Sequence, residues 1–148
     1  MKLMKKNHTV CTLGYHIIFC TKYRHEILKN DIEVNCKRII SDVCIHYHWL
    51  LKSIEIMPDH VHIFIQAPHT VAPSTIIQTI KSISAVHLFT KYPDIKKKKF
   101  WGSGLWSKST YIGSVGHVSE NTITKYIESQ QPHFSSETSS RGILGDYS

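Results

Sequence analysis

The stretch Leu50-Leu51-Lys52-Ser53-Ile54-Glu55-Ile56-Met57-Pro58-Asp59-His60-Val61-His62-Ile63-Phe64-Ile65-Gln66-Ala67 decides the fold. Apolar and polar residues alternate from Leu50 to Met57, Pro58-Asp59 supplies a turn, and alternation resumes from His60 to Ala67. A period of two on both sides of a tight turn predicts a β-hairpin. Upstream, Ile32, Cys36, Ile39, Ile40, Val43, Cys44 and Tyr47 recur at helical spacing and predict a helix over about 31–48, with Asn30 or Asp31 as its cap. Before that helix, Lys22-Tyr23-Arg24-His25 reads as a basic loop. Residues Thr9 to Cys20 read as a strand with Cys11, Leu13, Tyr15, Ile17 and Phe19 on one face and Thr12, Gly14 and His16 on the other.

Downstream of the hairpin, Pro73 opens an amphipathic helix that runs through Ile76, Ile80, Ser84 and Leu88 to about Tyr92, where Pro93 ends it. Lys96 to Lys99 reads as a charged connecting loop and Gly102-Ser103-Gly104 as a turn into β-prone residues between Leu105 and Val115. Ser119 caps a last helix over about Glu120–Gln131, stopped by Pro132. The order strand, helix, strand, strand, helix, strand, helix predicts an α+β domain over 1–132. Its first six elements form the ferredoxin-like split βαβ pattern, a four-stranded antiparallel sheet backed by two helices, to which the last helix is added. The Ser- and Gly-rich remainder, 133–148, reads as a mobile tail.

Composition narrows the function classes. A chain of 148 residues with 41 % hydrophobic and 20 % charged side chains suits one domain with a core of its own. No apolar run reaches the roughly 20 residues of a membrane span. The basic N-terminus lacks a following apolar region, so a cytoplasmic protein without a secretory signal is expected. Eighteen Lys and Arg against eleven Asp and Glu leave a net charge of +7, which favours a polyanionic partner such as nucleic acid. Four cysteines without a Cys-x-x-Cys pair point to reduced, mostly buried thiols and away from a zinc ribbon.

Two patterns carry chemistry. His60 and His62 are two apart on a predicted strand, so both imidazoles project from one sheet face while Val61 points into the core. Such a pair can chelate one divalent ion, though taken alone it is more often a packing or surface feature. Tyr126 and Gln130 are four apart on the predicted last helix and share one face. A tyrosine can act as a covalent nucleophile, and a Gln carbonyl can bind a metal; packing and solvation are the plain alternatives.

The segments Met57-Pro58-Asp59-His60-Val61-His62-Ile63-Phe64-Ile65 and Tyr126-Ile127-Glu128-Ser129-Gln130-Gln131 together resemble the single-tyrosine transposases of the insertion-sequence 200/605 family. So do Tyr15-His16-Ile17-Ile18-Phe19-Cys20-Thr21-Lys22-Tyr23-Arg24 and the segments Leu105-Trp106-Ser107 and Ser114-Val115-Gly116. The resemblance spans about 9–132 and places the chain in the superfamily of single-strand endonucleases marked by a His-hydrophobe-His pair. It implies that His60, His62 and Gln130 bind Mg²⁺ or Mn²⁺ and that Tyr126 is the nucleophile, forming a 5′-phosphotyrosine with no nucleotide cofactor. It also implies a single-stranded DNA substrate with hairpin ends, and a homodimer in which Tyr126 can serve the partner's His pair. Gly113 to Gly116 offers a hinge for that exchange. Lys22, Arg24, Lys81, Lys108 and the Lys96–Lys99 run are candidate phosphate contacts, with Trp106 or Tyr111 as base-stacking side chains.

Other readings stay open at this stage: a relative domesticated to process host palindromes, a hydrolytic metal-dependent nuclease, or a domain that binds single-stranded nucleic acid without cutting it. A zinc protease is not supported, because no His-Glu-x-x-His helix is present.

Overall fold

The computed structural model describes residues 5–6, 9–10, 12–100, 103–114 and 127–129. Among the described residues the elements occur in the order β1 (Lys5–Lys6), β2 (Thr9–Val10), β3 (Thr12–Cys20), α1 (Asn30–Tyr47), β4 (Leu50–Met57), β5 (His60–Pro68), α2 (Pro73–Lys91), α3 (Pro93–Lys99) and β6 (Tyr111–Ser114), with a further helical stretch at 127–129. A 3₁₀ turn at Lys22–Arg24 follows β3. β1 and β2 form a small ribbon of their own, while the main antiparallel sheet has the order β4-β5-β3-β6. That order, with α1 between β3 and β4 and α2 between β5 and β6, is the ferredoxin-like topology.

One sheet face carries the core. Ile17 and Phe19 of β3 and Val61, Ile63, Ile65 and Ala67 of β5 are fully buried against Cys36, Ile40 and Cys44 of α1 and Ile76, Ile80 and Leu88 of α2. Each such isoleucine removed from water contributes roughly 1.5–3 kcal/mol. Strand β4 needs a correction to simple alternation. Leu51 pairs with Ile65 and Ser53 with Phe64, so Lys52 is an extra residue, a bulge. Leu51 and Ile54 are three apart and would lie on opposite faces of a regular strand; the bulge brings both, with Ile56, against the core.

Several local expectations are also revised. Thr9–Val10 pairs with Lys5–Lys6 rather than extending β3. The N-cap of α1 is Lys29 without a side-chain cap bond, and Asn30 has φ 53° instead of capping. Lys96–Lys99 is helical, in α3. Pro93 stands at its start, Asp94 in its first turn and all four lysines in its last turn, the order the helix dipole favours. Buried Phe100 anchors its end. Between Leu105 and Val115 only Tyr111–Ser114 joins the sheet, with Trp106 making one isolated bridge to Thr21. Cys20, Cys36 and Cys44 are free and buried as expected. Ser119, most of the last helix, Val115, Gly116 and the 133–148 tail lie outside the described residues. Among the described residues no helix is long and apolar enough to cross a membrane.

Candidate active site

The second sheet face, turned away from α1 and α2, is mixed: Ile18 and Cys20 on it are fully buried, beside a row of polar and aromatic side chains from β5. His60, His62, Phe64 and Gln66 alternate with the core residues of β5 and are only partly buried. His60 stands opposite Cys20, His62 opposite Ile18, and Phe64 opposite His16. Next in the sheet, Tyr111 pairs with Ile18 and so lies on this same face. The period-two expectation for His60, Val61 and His62 therefore holds: the two imidazoles share a face and Val61 is in the core.

Each histidine is held differently. Nδ1–H of His60 donates to Asp59 Oδ1 at 2.8 Å, which leaves Nε2 as the lone-pair nitrogen. His62 shares a 3.2 Å hydrogen bond through Nε2 with Nδ1 of His16, and its own Nδ1 lies 4.0 Å from Glu55. His16 in turn stacks on Phe64, with ring centroids 4.7 Å apart and planes 12° from parallel. Burial, and then the neighbouring His16, hold the His62 imidazole below its ordinary pKa of 6.5, which favours the neutral, metal-binding form.

Asp59 is the centre of a larger network. Nε of Arg24 donates to Asp59 Oδ2 at 2.9 Å, and Nη2 lies 2.8 Å from the same oxygen in an ion pair. Nη1 of the same guanidinium donates to the backbone carbonyl of Ile127 at 3.1 Å. Burial raises the Asp59 pKa, but the hydrogen bond from His60 and the charge of Arg24 outweigh it and hold the carboxyl below its usual 3.8. The turn that aims Arg24 inward is unusual: Tyr23 and Arg24 have φ of 60° and 51°. Left-handed non-glycine residues cost of order 1 kcal/mol each and persist where surrounding contacts fix them. Here Arg24 N–H bonds Thr21 O at 2.9 Å, and Thr21 Oγ bonds His25 O at 2.8 Å.

Two imidazoles on one face, that of His60 oriented by a carboxylate and that of His62 sharing Nε2 with His16, fit half of a divalent metal site once the His16 bond opens. No group of three His, Cys, Asp or Glu side chains able to hold a metal occurs among the described residues, so His16 does not complete this pair. Tyr126 and Gln130, the expected nucleophile and third ligand, lie outside the described residues. Ile127–Ser129, between them in sequence, is helical as expected.

The candidate DNA contacts separate into inner and outer groups. Arg24 is 6 % exposed and its guanidinium is turned inward onto Asp59 and Ile127, away from an outer phosphate. Lys22 is buried as well, its ammonium 5.7 Å from the Tyr23 ring centroid. Lys81 donates to Ser107 O at 2.7 Å and Thr110 Oγ at 2.9 Å. Burial pushes its pKa down to about 8. Trp106 does not offer a stacking face, because its ring is buried edge-on against Phe19 and its Nε1–H donates to Ser84 Oγ at 2.9 Å. Lys108 and Lys96–Lys99 are exposed. Asp59 and His16 are the site residues to which sequence reasoning gave no role. The available signals were the place of Asp59 beside His60 in the turn and the place of His16 on the face opposite Ile17.

Comparison with known proteins agrees with this geometry. Residues 9–130 match the family described as "Transposase IS200 like". The chain is 35 % identical over 130 residues to the ISDra2 transposase TnpA of Deinococcus radiodurans, covering 88 % of this chain and 92 % of that protein. It is 26 % identical over 125 residues to the transposase for insertion sequence element IS200 of Salmonella typhimurium, covering 83 % and 80 %. A crystal structure of a candidate transposase from Deinococcus radiodurans R1 superposes with a TM-score of 0.79 at 31 % identity, covering 86 % of this chain and 97 % of that one. A ferredoxin-like sheet, a His-Val-His pair on its second face and these matches over nearly the whole described chain have one reading: the protein belongs to the IS200/605 family of tyrosine transposases.

Proposed function

We propose that this transposase cuts and rejoins single-stranded DNA at hairpin-bearing element ends through a covalent 5′-phosphotyrosine on Tyr126. The observation that carries the reading is the network joining His60 through Asp59 and Arg24 to the carbonyl of Ile127, the residue after Tyr126. It ties the strand of His60 and His62 to the residue that follows Tyr126 in sequence. His60, His62 and Gln130 would hold Mg²⁺ or Mn²⁺, which supplies Lewis-acid polarisation of the scissile phosphate. The chain's own groups do the rest. Asp59 keeps the proton of His60 on Nδ1, so Nε2 stays available. The Tyr126 oxygen gives up its proton to solvent and bonds to phosphorus as the bond to the 3′ oxygen breaks, and the departing oxygen takes up a proton to become a 3′-hydroxyl. A free 3′-hydroxyl can attack the phosphotyrosine in the reverse sense, so strands rejoin without ATP.

Polyanion binding follows from the +7 charge, with Lys108 and the α3 lysines as exposed candidates and Tyr111 on the site face as the remaining stacking candidate. A homodimer is part of the proposal. β6 is an edge strand of only four residues, and pairing with its twin would satisfy its outer backbone groups.

Tyr126→Phe tests the reading: hairpin DNA should still bind, while the covalent protein–DNA adduct on a denaturing gel disappears. Adduct formation by the variant would move the nucleophile elsewhere. A domain that only binds, or a hydrolytic nuclease, forms no adduct even as the wild type. Sharing of sites between subunits is read by mixing Tyr126→Phe with His62→Ala under exchange: recovered cleavage supports a site built from both chains, and no recovery in confirmed heterodimers excludes it.

A further inference from the structure

We propose that Arg24 is a positioning residue that latches the segment following Tyr126 onto this chain's own His60, with the Asp59 carboxylate as the bridge. The inference rests on the roles proposed above for Tyr126 and His60, and it assigns Arg24 a function other than contact with DNA.

The geometry is specific to a guanidinium. Its five N–H groups lie in one plane and point along different edges. One edge, Nε and Nη2, is spent on Asp59 Oδ2, and the other, Nη1, reaches Ile127 O. With Oδ2 fixed, the carboxylate cannot rotate, and Oδ1 is presented to His60 Nδ1 at 2.8 Å. Three parts of the chain far apart in sequence thus share one buried ion pair. If the segment at Ile127 leaves, a buried N–H of Arg24 loses its acceptor, and the guanidinium is free to tilt away from Asp59. The orientation of His60 and the docking of the segment beside Tyr126 then depend on each other.

A plainer role, that the pair merely pins the Pro58-Asp59 turn, is already filled by the backbone. Thr21 N–H bonds Asp59 O at 3.0 Å and Leu28 N–H bonds Pro58 O at 2.9 Å. These bonds hold the turn against residues 21–28 without any help from the Arg24 side chain.

The test uses the full chain without DNA and reads both ends of the latch. Arg24→Lys keeps a positive charge for Asp59 but cannot reach both acceptors. Amide hydrogen exchange in the peptide covering 127–129 should rise about tenfold or more, the usual worth of a charge-assisted hydrogen bond, while exchange in α2 stays unchanged. Asp59→Asn puts an N–H donor where His60 needs an acceptor. The ¹⁵N shifts of the His60 ring should then report a proton moved from Nδ1 to Nε2, and Mn²⁺ binding should weaken about 10- to 100-fold, as for other partners of metal-binding histidines. Exchange at 127–129 should rise in this variant too.

Loss of thermal stability in both variants with unchanged exchange at 127–129 would overturn the latch and leave a merely structural ion pair. Should either variant fail to fold, replacing the Ile127–Glu128 peptide bond by an ester weakens that acceptor and leaves the ion pair intact; because it also removes the Glu128 N–H, exchange is then read at 127 and 129 and compared with an ester placed at the Glu128–Ser129 bond. Raised exchange with an altered His60 ring signal supports the latch, and no change overturns it. These readouts do not use cleavage. An adduct persisting in Tyr126→Phe, or a wild type that binds no Mn²⁺, would sink the proposed function and leave the exchange result standing by itself.

Discussion

Strand β5 holds two different chemistries on its two faces. Val61, Ile63, Ile65 and Ala67 are fully buried among α1 and α2, whereas His60, His62, Phe64 and Gln66 between them are partly open. The first set is fixed by burial of area, which is insensitive to direction. Within the second set the two imidazoles are fixed by directed bonds, His60 to Asp59 and His62 to His16. Neighbouring residues on one strand are thus expected to fail in different ways, the apolar set through stability and the imidazoles through chemistry.

The sharpest break of that comparison is His62→Ala beside Ile63→Ala. If His62 holds a metal as proposed, its loss should lower cleavage by about a thousandfold or more, since a bound metal is worth several kcal/mol to the transition state. Its effect on unfolding free energy should stay near 0.5 kcal/mol, as for a partly open residue outside the core. Ile63→Ala should instead cost about 2–5 kcal/mol of stability, with cleavage per folded molecule within about tenfold of the wild type. Denaturant unfolding and single-turnover cleavage of the two variants check this, and equal loss of stability in both would erase the distinction.

The same contrast explains what was legible in the sequence. Period two and period 3.6 place the core faces of β3, β5, α1 and α2 directly, because burial follows alternation along the chain. The placement of His60 and His62 on one face, with Val61 in the core, was legible for the same reason. Asp59 and Arg24 were not, since their partnership joins residues 35 apart through a left-handed turn at Tyr23 and Arg24 that no periodicity encodes. Trp106 misled for a related reason: an aromatic in a basic protein suits base stacking, yet Ser84 supplies a buried acceptor for its N–H from α2. Helix α3 was hidden by its four lysines, which read as a solvated loop although their place in the last turn favours a helix.

A second prediction concerns acid. The Asp59 carboxyl is held below 3.8 in the folded protein, so it binds its proton less readily there than in the unfolded chain. Its contribution to stability is therefore complete above about pH 3.8 and is lost as pH falls through the lower folded value. Asp59→Asn should remove that dependence, giving a flatter stability profile on the acid side. It should also cost about 3 kcal/mol at pH 7, because Arg24 stays buried without its counter-charge. Unfolding free energies measured from pH 2 to 7 decide it; an unchanged acid limb in Asp59→Asn would mean that other carboxylates dominate.

The smallest expected effect separates inner from outer cations. Lys108 is exposed, while Lys81, which reaches under the same loop, is tied to Ser107 and Thr110. If Lys108 meets a phosphate, Lys108→Gln should weaken single-stranded DNA binding only a few-fold. It should also make the slope of log affinity against log salt shallower by about 0.7, the value for one released counterion on a single strand. Lys81→Gln should leave that slope unchanged, because its ammonium is spent on Ser107 and Thr110, and should show its loss in thermal stability instead. Titrations at four or more salt concentrations resolve a difference of this size. A slope changed by Lys81→Gln and not by Lys108→Gln would reverse the assignment, making the buried lysine the one that meets DNA after the 107–110 loop opens.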